Sequence, residues 1–328
     1  MPKTYYFEGH ANVGAALRAS LDAAGLVYVD APAHADYVFT YFTSSNVQEE
    51  RYFGGGGLMT SAQSGACLVD LSPSTPSLVR EMSAVASVSD LIYVEAPLAV
   101  NDITLENAFA VRENLACCVA GETADRKAVV PVLKHFVGSV TEFSEPGAAV
   151  LAHAAWTLQH CASVLAAIEA KALYRALRYI PTSAAIVGAD AVVPTAGNLE
   201  AAVVNAVAQN RFSGAYTTEM FAAELSAVLA AADDAELILP QAESCLRLVE
   251  LLQVIGGSDK SPVALSILYD EEEAAAANGL DWSRAESYAQ ESSRAASDFD
   301  DAFSGARRDD DDDDFGGYAD LFGNYSDN

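Results

Sequence analysis

Short apolar runs alternate with amphipathic stretches along residues 1–145. The runs are TYYF, LVYV, DYVFTYF, ACLVDL, LIYVEAP and LACCVAG. Several of the segments between them place apolar residues at helical spacing, as at Val13, Leu17 and Leu21. Strands that alternate with helices are typical of an α/β fold with a mostly parallel sheet. Residues 1–145 are therefore predicted to form an α/β domain.

Beyond Glu145 the pattern becomes helical and rich in Ala and Leu. Pro146 is placed to start a helix, and Pro181 to end or follow it. A helix over 147–178 would be about 48 Å long at 1.5 Å per residue. Residues 146–292 are therefore predicted to form an all-helical domain. Its helical spacing continues over 198–210, 217–233, 241–255 and 262–278.

The predicted long helix is apolar over most of its circumference, so it must be buried in its own domain or against a second subunit. One domain of this size would not easily cover so much apolar surface, and exposed patches of that kind usually mark an interface. We therefore expect a homodimer, or a heterodimer with a related chain, formed through the helical domains. The apolar positions of the helix are Val150, Leu151, Ala154, Leu158, Cys161, Leu165, Ile168 and Leu173.

The composition argues against several classes of protein. A net charge of −28, with only 18 Lys and Arg in 328 residues, disfavours nucleic-acid binding, which needs a positive surface. No apolar run spans a bilayer and no signal peptide is visible, so we expect a cytoplasmic protein without a membrane segment. The five cysteines are odd in number and lack C-x-x-C spacing. They indicate reduced, mostly buried thiols rather than disulfides or a metal site.

The C-terminal segment, residues 293–328, is predicted to be an acidic disordered tail. From Asp298 onward it carries 11 Asp against two Arg, and such a self-repelling, aliphatic-poor stretch does not form a core. One interpretation is a solubilising tail. The alternative is a short partner-binding motif built on Phe315, Tyr318, Leu321, Phe322 and Tyr325.

A glycine turn follows the first predicted strand. Gly9-x-Ala11-x-x-Gly14 lies between TYYF and a helical pattern, which is close to the turn that cradles a dinucleotide. Ala11 replaces the glycine that lets the backbone approach the pyrophosphate, so binding is hampered but not excluded. The alternative interpretation is that Gly9 and Gly14 only allow a tight turn and close helix packing.

The expected ribose-binding end is shorter than usual. Asp30 stands about 20 residues after the glycine turn, where an acidic residue would hold a ribose and favour NAD over NADP. Only the segment APAHA separates Asp30 from the next strand, whereas a parallel neighbour needs a crossover of about a dozen residues. Either LVYVD is the second strand with a truncated exit, or it is the third strand and the second is missing.

The order of the motifs resembles the β-hydroxyacid dehydrogenase family, which includes 3-hydroxyisobutyrate and tartronate semialdehyde reductases and is related to 6-phosphogluconate dehydrogenase. The resemblance implies a Rossmann-like domain, an all-α domain led by a long interdomain helix, and NAD or NADP as cofactor. The segments that carry it are Gly9 to Gly14, Asp36 to Thr43, Gly54 to Gly57, Asp70 to Pro76, Glu95 to Asn101, Ala120 to Glu122 and Gly147 to Ala155.

The resemblance also implies the site residues. The substrate would contact Ser74, Thr75 and Asn101. The residues implied for the cofactor are Gly9, His10, Ala11, Asn12, Val13, Gly14, Thr43 and Ser72.

The chain departs from the family at the reaction centre. The family's helix lysine, which exchanges the hydroxyl proton, is matched by Leu151, so the catalytic residue is unknown. The paired asparagines become Ala154 and Ala155, and the glycines that hold the substrate carboxylate become Val100 and Asn101. The family's Lys-Asp-Leu motif corresponds to Ala223-Glu224-Leu225. For the possible substitutes, His10, His153 and Lys260, a structural or solvent-facing role is favoured.

Two functions from different classes follow. The first is an NAD(P)-dependent oxidoreductase of the β-hydroxyacid dehydrogenase type, acting on a small hydroxy acid or a related imine with an unconventional proton donor. The second is a non-catalytic relative that serves as a ligand-binding or assembly subunit, with the acidic tail as its contact arm. Cofactor binding and turnover distinguish them, because a fold alone does not decide function.

Overall fold

The computed structural model describes residues 2–178, 195–285 and 287. The chain forms two compact units, Met1–Trp282 and Ser283–Asn328. In the second unit the described residues, 283–285 and 287, are helical. The predicted tail over 293–328, its aromatic motif and Pro181 lie outside the described residues. The predicted domain boundary at residue 145 falls within the first unit and stays a prediction.

A mostly parallel sheet occupies the first half of Met1–Trp282, and in the described residues it has eight strands. Their order is β2-β1-β3-β4-β5-β7-β6, with β8 beside β7. Strands β1 to β5 are parallel to one another, and β7 is antiparallel to β5 and β6 but parallel to β8. The predicted Rossmann-like α/β fold is confirmed. The strands are β1 (Thr4–Gly9), β2 (Val27–Tyr28), β3 (Tyr37–Tyr41), β4 (Cys67–Asp70), β5 (Ile92–Glu95), β6 (Leu98–Val100), β7 (Leu115–Ala120) and β8 (Ser139–Phe143).

The edge strand β2 has only two residues, with Thr4 opposite Val27 and Tyr5 opposite Tyr28. A single 3-10 turn at Pro32–His34 then leads to β3, which pairs with the other side of β1. Because β2 has only two residues and pairs with the start of β1, the chain reaches the start of β3 by a short return without a helix. LVYVD is therefore the second strand with a truncated exit, the first of the two interpretations, and Asp30 is exposed at its end.

Three helices begin at the carboxyl edge of the sheet, where the site must lie. Side-chain caps start α1, α2 and α4: His10 follows β1, Ser44 follows β3 and Thr75 follows β4. The predicted apolar face of α1 is buried against the sheet. The helices of this half are α1 (Ala11–Ala23), α2 (Ser45–Phe53), α3 (Leu58–Ser61), α4 (Pro76–Val88) and α5 (Thr123–Leu133).

The second half of the unit is helical, as predicted. The segment predicted as helical over 262–278 is instead a 3-10 helix, Pro262–Tyr269, followed by a short α-helix, because the chain is extended at Asp270 and Glu271. The α-helices of this half are α6 (Ala148–Arg178), α7 (Asn198–Ala208), α8 (Thr218–Asp234), α9 (Pro240–Leu252) and α10 (Glu272–Ala277).

Helix α6 is covered largely by its own chain. Helices α7, α8 and α9 pack against it, and its side chains Cys161, Leu165 and Ile168 are buried. Val150, near its start, is buried in a cluster with residues of the α/β half such as Val79 and Met82. Most of the apolar surface of this helix is thus covered within its own chain, by both halves of the unit. Among its large apolar side chains Leu151 and Leu173 stay exposed, each at 58%, and the dimer itself stays a prediction.

All five cysteines are free thiols, four of them buried and Cys118 half-buried. This agrees with the prediction of reduced, mostly buried thiols. Within the described ranges, no helix has both the length and the apolar character needed to cross a membrane.

Candidate functional site

The turn between β1 and α1 requires glycine at its first position. Gly9 has φ +135°, and a Cβ there would lie 2.0 Å from the carbonyl oxygen of Tyr41 on β3. The N–H of His10 donates to the same oxygen at 2.9 Å. Gly9 thus allows β1 and β3 to stay paired up to the turn. This requirement is structural and would exist without a ligand.

Gly14 also has a structural reason. A Cβ on it would lie 2.5 Å from the Phe7 ring, so glycine allows α1 to pack closely on β1. The structural interpretation of both glycines is therefore supported by the packing. It leaves open a second use of the same turn as a cofactor cradle.

The N-terminus of α1 presents free donors. His10 caps the helix, its Nδ1 accepting from the N–H of Asn12 at 3.3 Å. Among the described residues, the N–H groups of Ala11 and Val13 have no hydrogen-bond partner. Burial lowers the pKa of His10, partly opposed by the nearby charge of Glu219. Two free donors at the positive end of a helix are suited to an anion such as a phosphate.

These donors face the point where the strand order reverses. The chain leaves β1 for β2 on one side and continues from β3 on the other, and ligands of open α/β sheets bind in the crevice at such a switch point. Two contacts from the helical half cross it. The Nδ2 of Asn12 donates to the Ala215 carbonyl at 2.8 Å, and the Thr43 hydroxyl donates to Oε1 of Glu219 at 2.5 Å.

A cleft of about 270 Å³ continues from Thr43 between the sheet loops and α8. Its lining is rich in hydroxyl groups and contains no ionisable side chain among the described residues. Thr75 caps α4 by accepting from Leu78 N–H at 3.3 Å, and Ser74 donates to Oε1 of Gln48 at 3.3 Å. The structure thus brings the predicted Thr43, Ser74 and Thr75 together. The lining residues are Thr43, Ser44, Ser45, Pro73, Ser74, Thr75, Ala223, Ser226, Ala227 and Ala230.

A buried polar network supports the floor of this cleft. The carboxylate of Asp70 accepts from Thr40 at 3.0 Å, Gln48 at 2.6 Å and Tyr93 at 3.1 Å. Burial raises the pKa of Asp70, and the hydrogen bonds from Ser72, Thr40 and Gln48 oppose the rise. The network holds the ends of β3 and β4 in fixed positions below the hydroxyl lining.

Two predicted site residues lie elsewhere. Ser72 is buried, and its hydroxyl accepts from the N–H of Phe42 at 2.9 Å, so it lies beneath the cleft and stabilises the loop. Asn101 is exposed after β6, and its N–H donates to the Asn114 carbonyl at 2.9 Å. Neither side chain belongs to the cleft lining, and their roles at the cofactor (Ser72) and the substrate (Asn101) stay predictions.

The N-terminus of α6 is capped by a buried carboxylate that the sequence motifs did not single out. Glu95 accepts from the N–H groups of Gly147 at 2.5 Å and Val150 at 3.1 Å. Burial, with a smaller contribution from Asp70, raises the pKa of Glu95 to about 7, although the backbone donors oppose the rise. Gly147 has φ +90°, and a Cβ on it would lie 3.1 Å from Pro76. This helix end is therefore already capped by a carboxyl group of the chain itself.

Leu151, at the position of the family's lysine, is exposed one turn into α6, whereas His153 is only 4% exposed. The two side chains lie on opposite faces, as their separation of about 200° around the helix predicts. His153 lies beside Trp156, which stacks on His160 at 4.5 Å between ring centroids. Burial lowers the pKa of both histidines to about 4. Neither histidine lines the cleft.

Ala223 on α8 stands where the family's Lys-Asp-Leu motif has its lysine, and it lines the cleft. The adjacent Glu224 points into the helical core, where it accepts from the hydroxyls of Tyr216 at 2.7 Å and Thr157 at 3.3 Å. Burial raises the pKa of Glu224 to about 7. Lys260 accepts through its carbonyl from the N–H of Thr218 at 2.7 Å, so its loop abuts the start of α8, outside the cleft lining.

Comparison with known proteins agrees with this geometry. The model of the NAD binding domain of 6-phosphogluconate dehydrogenase matches residues 10–144. The N-terminal half is therefore similar to an NAD-binding domain of this type. The uncharacterized oxidoreductase YkwC of Bacillus subtilis is 30% identical over 117 residues, which are 36% of this chain and 38% of YkwC. The chain thus matches less than half of the length of that relative.

Two solved structures share the fold over most of the chain. The 3-hydroxyisobutyrate dehydrogenase of Mycobacterium tuberculosis, solved with L-serine, has a TM-score of 0.63 at 20% identity and covers 83% of this chain and 100% of its own. A protein named Psf3, solved with NADP+ and 2-OPP, has a TM-score of 0.65 at 16% identity over 81% and 99% of the two chains. Together with the domain match, they support a member of the β-hydroxyacid dehydrogenase family. The resemblance read from the motifs and its cofactor class, NAD or NADP, are confirmed.

Proposed function

We propose that this chain is an NAD(P)-dependent oxidoreductase of the β-hydroxyacid dehydrogenase type whose catalytic lysine has been replaced. The observation that carries the proposal is the pair of free N–H groups of Ala11 and Val13 at the switch point of a matched NAD-binding domain. When bound, the cofactor would supply or accept the hydride. The chain's own residues would hold its diphosphate and leave the substrate against the hydroxyl lining of the cleft.

The structure fits the two ends of a dinucleotide unequally. The diphosphate has donors at the N-terminus of α1, and the hydroxyls of Thr43, Ser44 and Ser45 lie across the crevice. The adenosine end has only the two-residue strand β2 and the exposed Asp30. We therefore expect cofactor affinity to depend mainly on the diphosphate, with little contribution from the adenosine.

The lining also bears on the substrate. A carbonyl that receives a hydride needs a proton for its oxygen, whereas a protonated imine already carries its proton. Leu151 and Ala223 supply none, and the cleft is lined by hydroxyls without an ionisable group among the described residues. Two carboxylates lie at opposite rims of the cleft: Glu219 is hydrogen-bonded to Thr43, and Asp234 is hydrogen-bonded to Ser77. Of the two predicted substrate classes, these features favour a small cationic imine over a hydroxy acid.

The same lining favours a second candidate function. With Leu151 and Ala223 at the two lysine positions, the chain would bind a dinucleotide without turnover and act as a ligand-binding or assembly subunit. This candidate shares the cofactor site with the first and differs only in the chemistry.

Turnover distinguishes the two candidates. With NADH or NADPH, we expect the chain to reduce a small cyclic imine and to leave β-hydroxy acids unoxidised with the oxidised cofactors. Leu151→Lys, combined with Ala155→Asn, should restore measurable oxidation of β-hydroxy acids, because Leu151 is exposed and tolerates a lysine. Cofactor binding without any turnover, in the wild type and in the double variant, would refute the oxidoreductase and favour the non-catalytic subunit.

A further inference from the structure

The crevice at the switch point is crossed by a carboxylate of the helical half. Glu219 lies in the first turn of α8, and its Oε1 accepts from the Thr43 hydroxyl at 2.5 Å. Burial lowers the pKa of His10 at the start of α1, and the charge of Glu219 partly opposes this; burial raises the pKa of Tyr41 at the end of β3, and Glu219 adds to the rise. Glu219 therefore acts electrostatically on both walls of the crevice, although its own side chain is exposed.

Among the described residues, no Lys or Arg forms an ion pair with this carboxylate. Burial, the main cause, lowers the pKa of His10, which keeps the ring neutral at neutral pH. Arg51 is paired with Glu8 on the neighbouring elements, and Lys260 lies in the loop that abuts α8. The N-terminus of α1 attracts a phosphate, whereas the carboxylate of Glu219 repels it.

We propose that Glu219 determines the affinity of this chain for dinucleotides. Its hydrogen bond with Thr43 closes the crevice, and its charge opposes the diphosphate that the N-terminus of α1 would hold. Binding therefore requires the Thr43–Glu219 contact to open, and removal of the charge strengthens binding. The inference rests on the proposed cofactor site and adds the residue that controls it.

Calorimetric titration with NADH and with NADPH tests the proposal on the full chain. Glu219→Gln keeps the shape and the hydrogen bond but removes the charge, and we expect about tenfold tighter binding, which equals about 1.4 kcal/mol. Added salt should reduce this gain, since exposed charges are screened. Asp234→Asn is the matched control, because Asp234 lies on the same helix and is bonded to Ser77 at the far rim. It should change affinity less than twofold.

The outcomes separate this inference from the proposed function. If wild type and Glu219→Gln bind equally, or if the variant binds more weakly, the role of Glu219 is overturned while the cofactor site stands. If Asp234→Asn gains as much affinity for NADH or NADPH as Glu219→Gln, the effect comes from the net charge of the protein, and the specific role of Glu219 is overturned. If neither the wild type nor Glu219→Gln binds NADH or NADPH at millimolar concentration, the cofactor site is overturned and the inference with it.

Discussion

Replacement of Glu224 by Gln should make the stability of the protein less dependent on pH. Glu224 is fully buried on α8, and both of its hydrogen-bond partners are hydroxyl groups, of Tyr216 and Thr157. Burial raises its pKa from 4.5 to about 7. Between these two values the unfolded chain has already lost the proton that the folded chain retains. The free energy of unfolding therefore falls as pH rises from about 4.5 to about 7, and stays lower above that.

The size of this loss of stability follows from the shift in the pKa of Glu224. At about 1.4 kcal/mol per pKa unit, the shift from 4.5 to about 7 corresponds to about 3 kcal/mol of stability lost between acidic and alkaline pH. The glutamine introduced by Glu224→Gln would keep one accepting oxygen, and its amide would donate to a hydroxyl that rotates. We therefore expect Glu224→Gln to raise the free energy of unfolding at about pH 8 by about 3 kcal/mol more than at about pH 4.5.

Urea denaturation followed by circular dichroism at the two pH values measures this difference. The matched control is Glu250→Gln, an exposed carboxylate on α9, for which a surface substitution should change stability by less than about 0.5 kcal/mol at either pH. If Glu224→Gln is destabilised equally at both pH values, Glu224 is not a buried carboxyl that holds its proton, and the reasoning is refuted.

Three further predictions concern packing, acid stability and assembly. Gly14→Ala places a Cβ against Phe7 and should lower the free energy of unfolding in urea by about 1–3 kcal/mol; an unchanged midpoint would contradict the close packing. His153 has its pKa lowered to about 4 by burial, so the unfolded state gains protons first as pH falls below about 6.5, and stability is lost towards pH 4. His153→Gln should lose less stability over this range, and an equal loss in urea denaturation would refute the assignment. The predicted dimer now depends on exposed side chains such as Leu173, so Leu173→Glu should halve the mass seen by light scattering, and a dimeric variant would exclude that role.

The sequence predicted the fold better than it predicted the site. Apolar runs indicated β1, β3, β4, β5 and β7, and all of these strands except β1 are mostly buried. Strand β8 was missed because it pairs at an edge and most of its positions are exposed, which leaves little apolar signal. The run LIYVEAP predicted β5. The run does not include β6 (Leu98–Val100), which forms by antiparallel pairing with the distant β7.

At the site, motifs located the loops but not the direction of each side chain. Ser72 and Ser74 are two residues apart, yet one is bonded beneath the cleft and the other lines it. Glu219 carries no motif, and its position across from Thr43 depends on how α8 packs on the sheet. Contacts between residues so distant in sequence leave no local pattern. Glu95 had a recognisable signal, since it ends a strand and lies in a matched motif, but its capping role depends on the N-terminus of α6.

The central claim is that the free N–H groups at the start of α1 hold the diphosphate of NAD or NADP. Ala11→Pro tests it most directly, because proline is tolerated at the first position of a helix and removes one of those donors. The preceding residue, His10, already has the extended backbone that proline requires, with φ −63° and ψ 128°. We predict that calorimetry detects NADH or NADPH binding to the wild type, and that Ala11→Pro binds at least about tenfold more weakly while keeping its thermal stability. Equal binding by the folded variant, or no binding by the wild type, would contradict the claim.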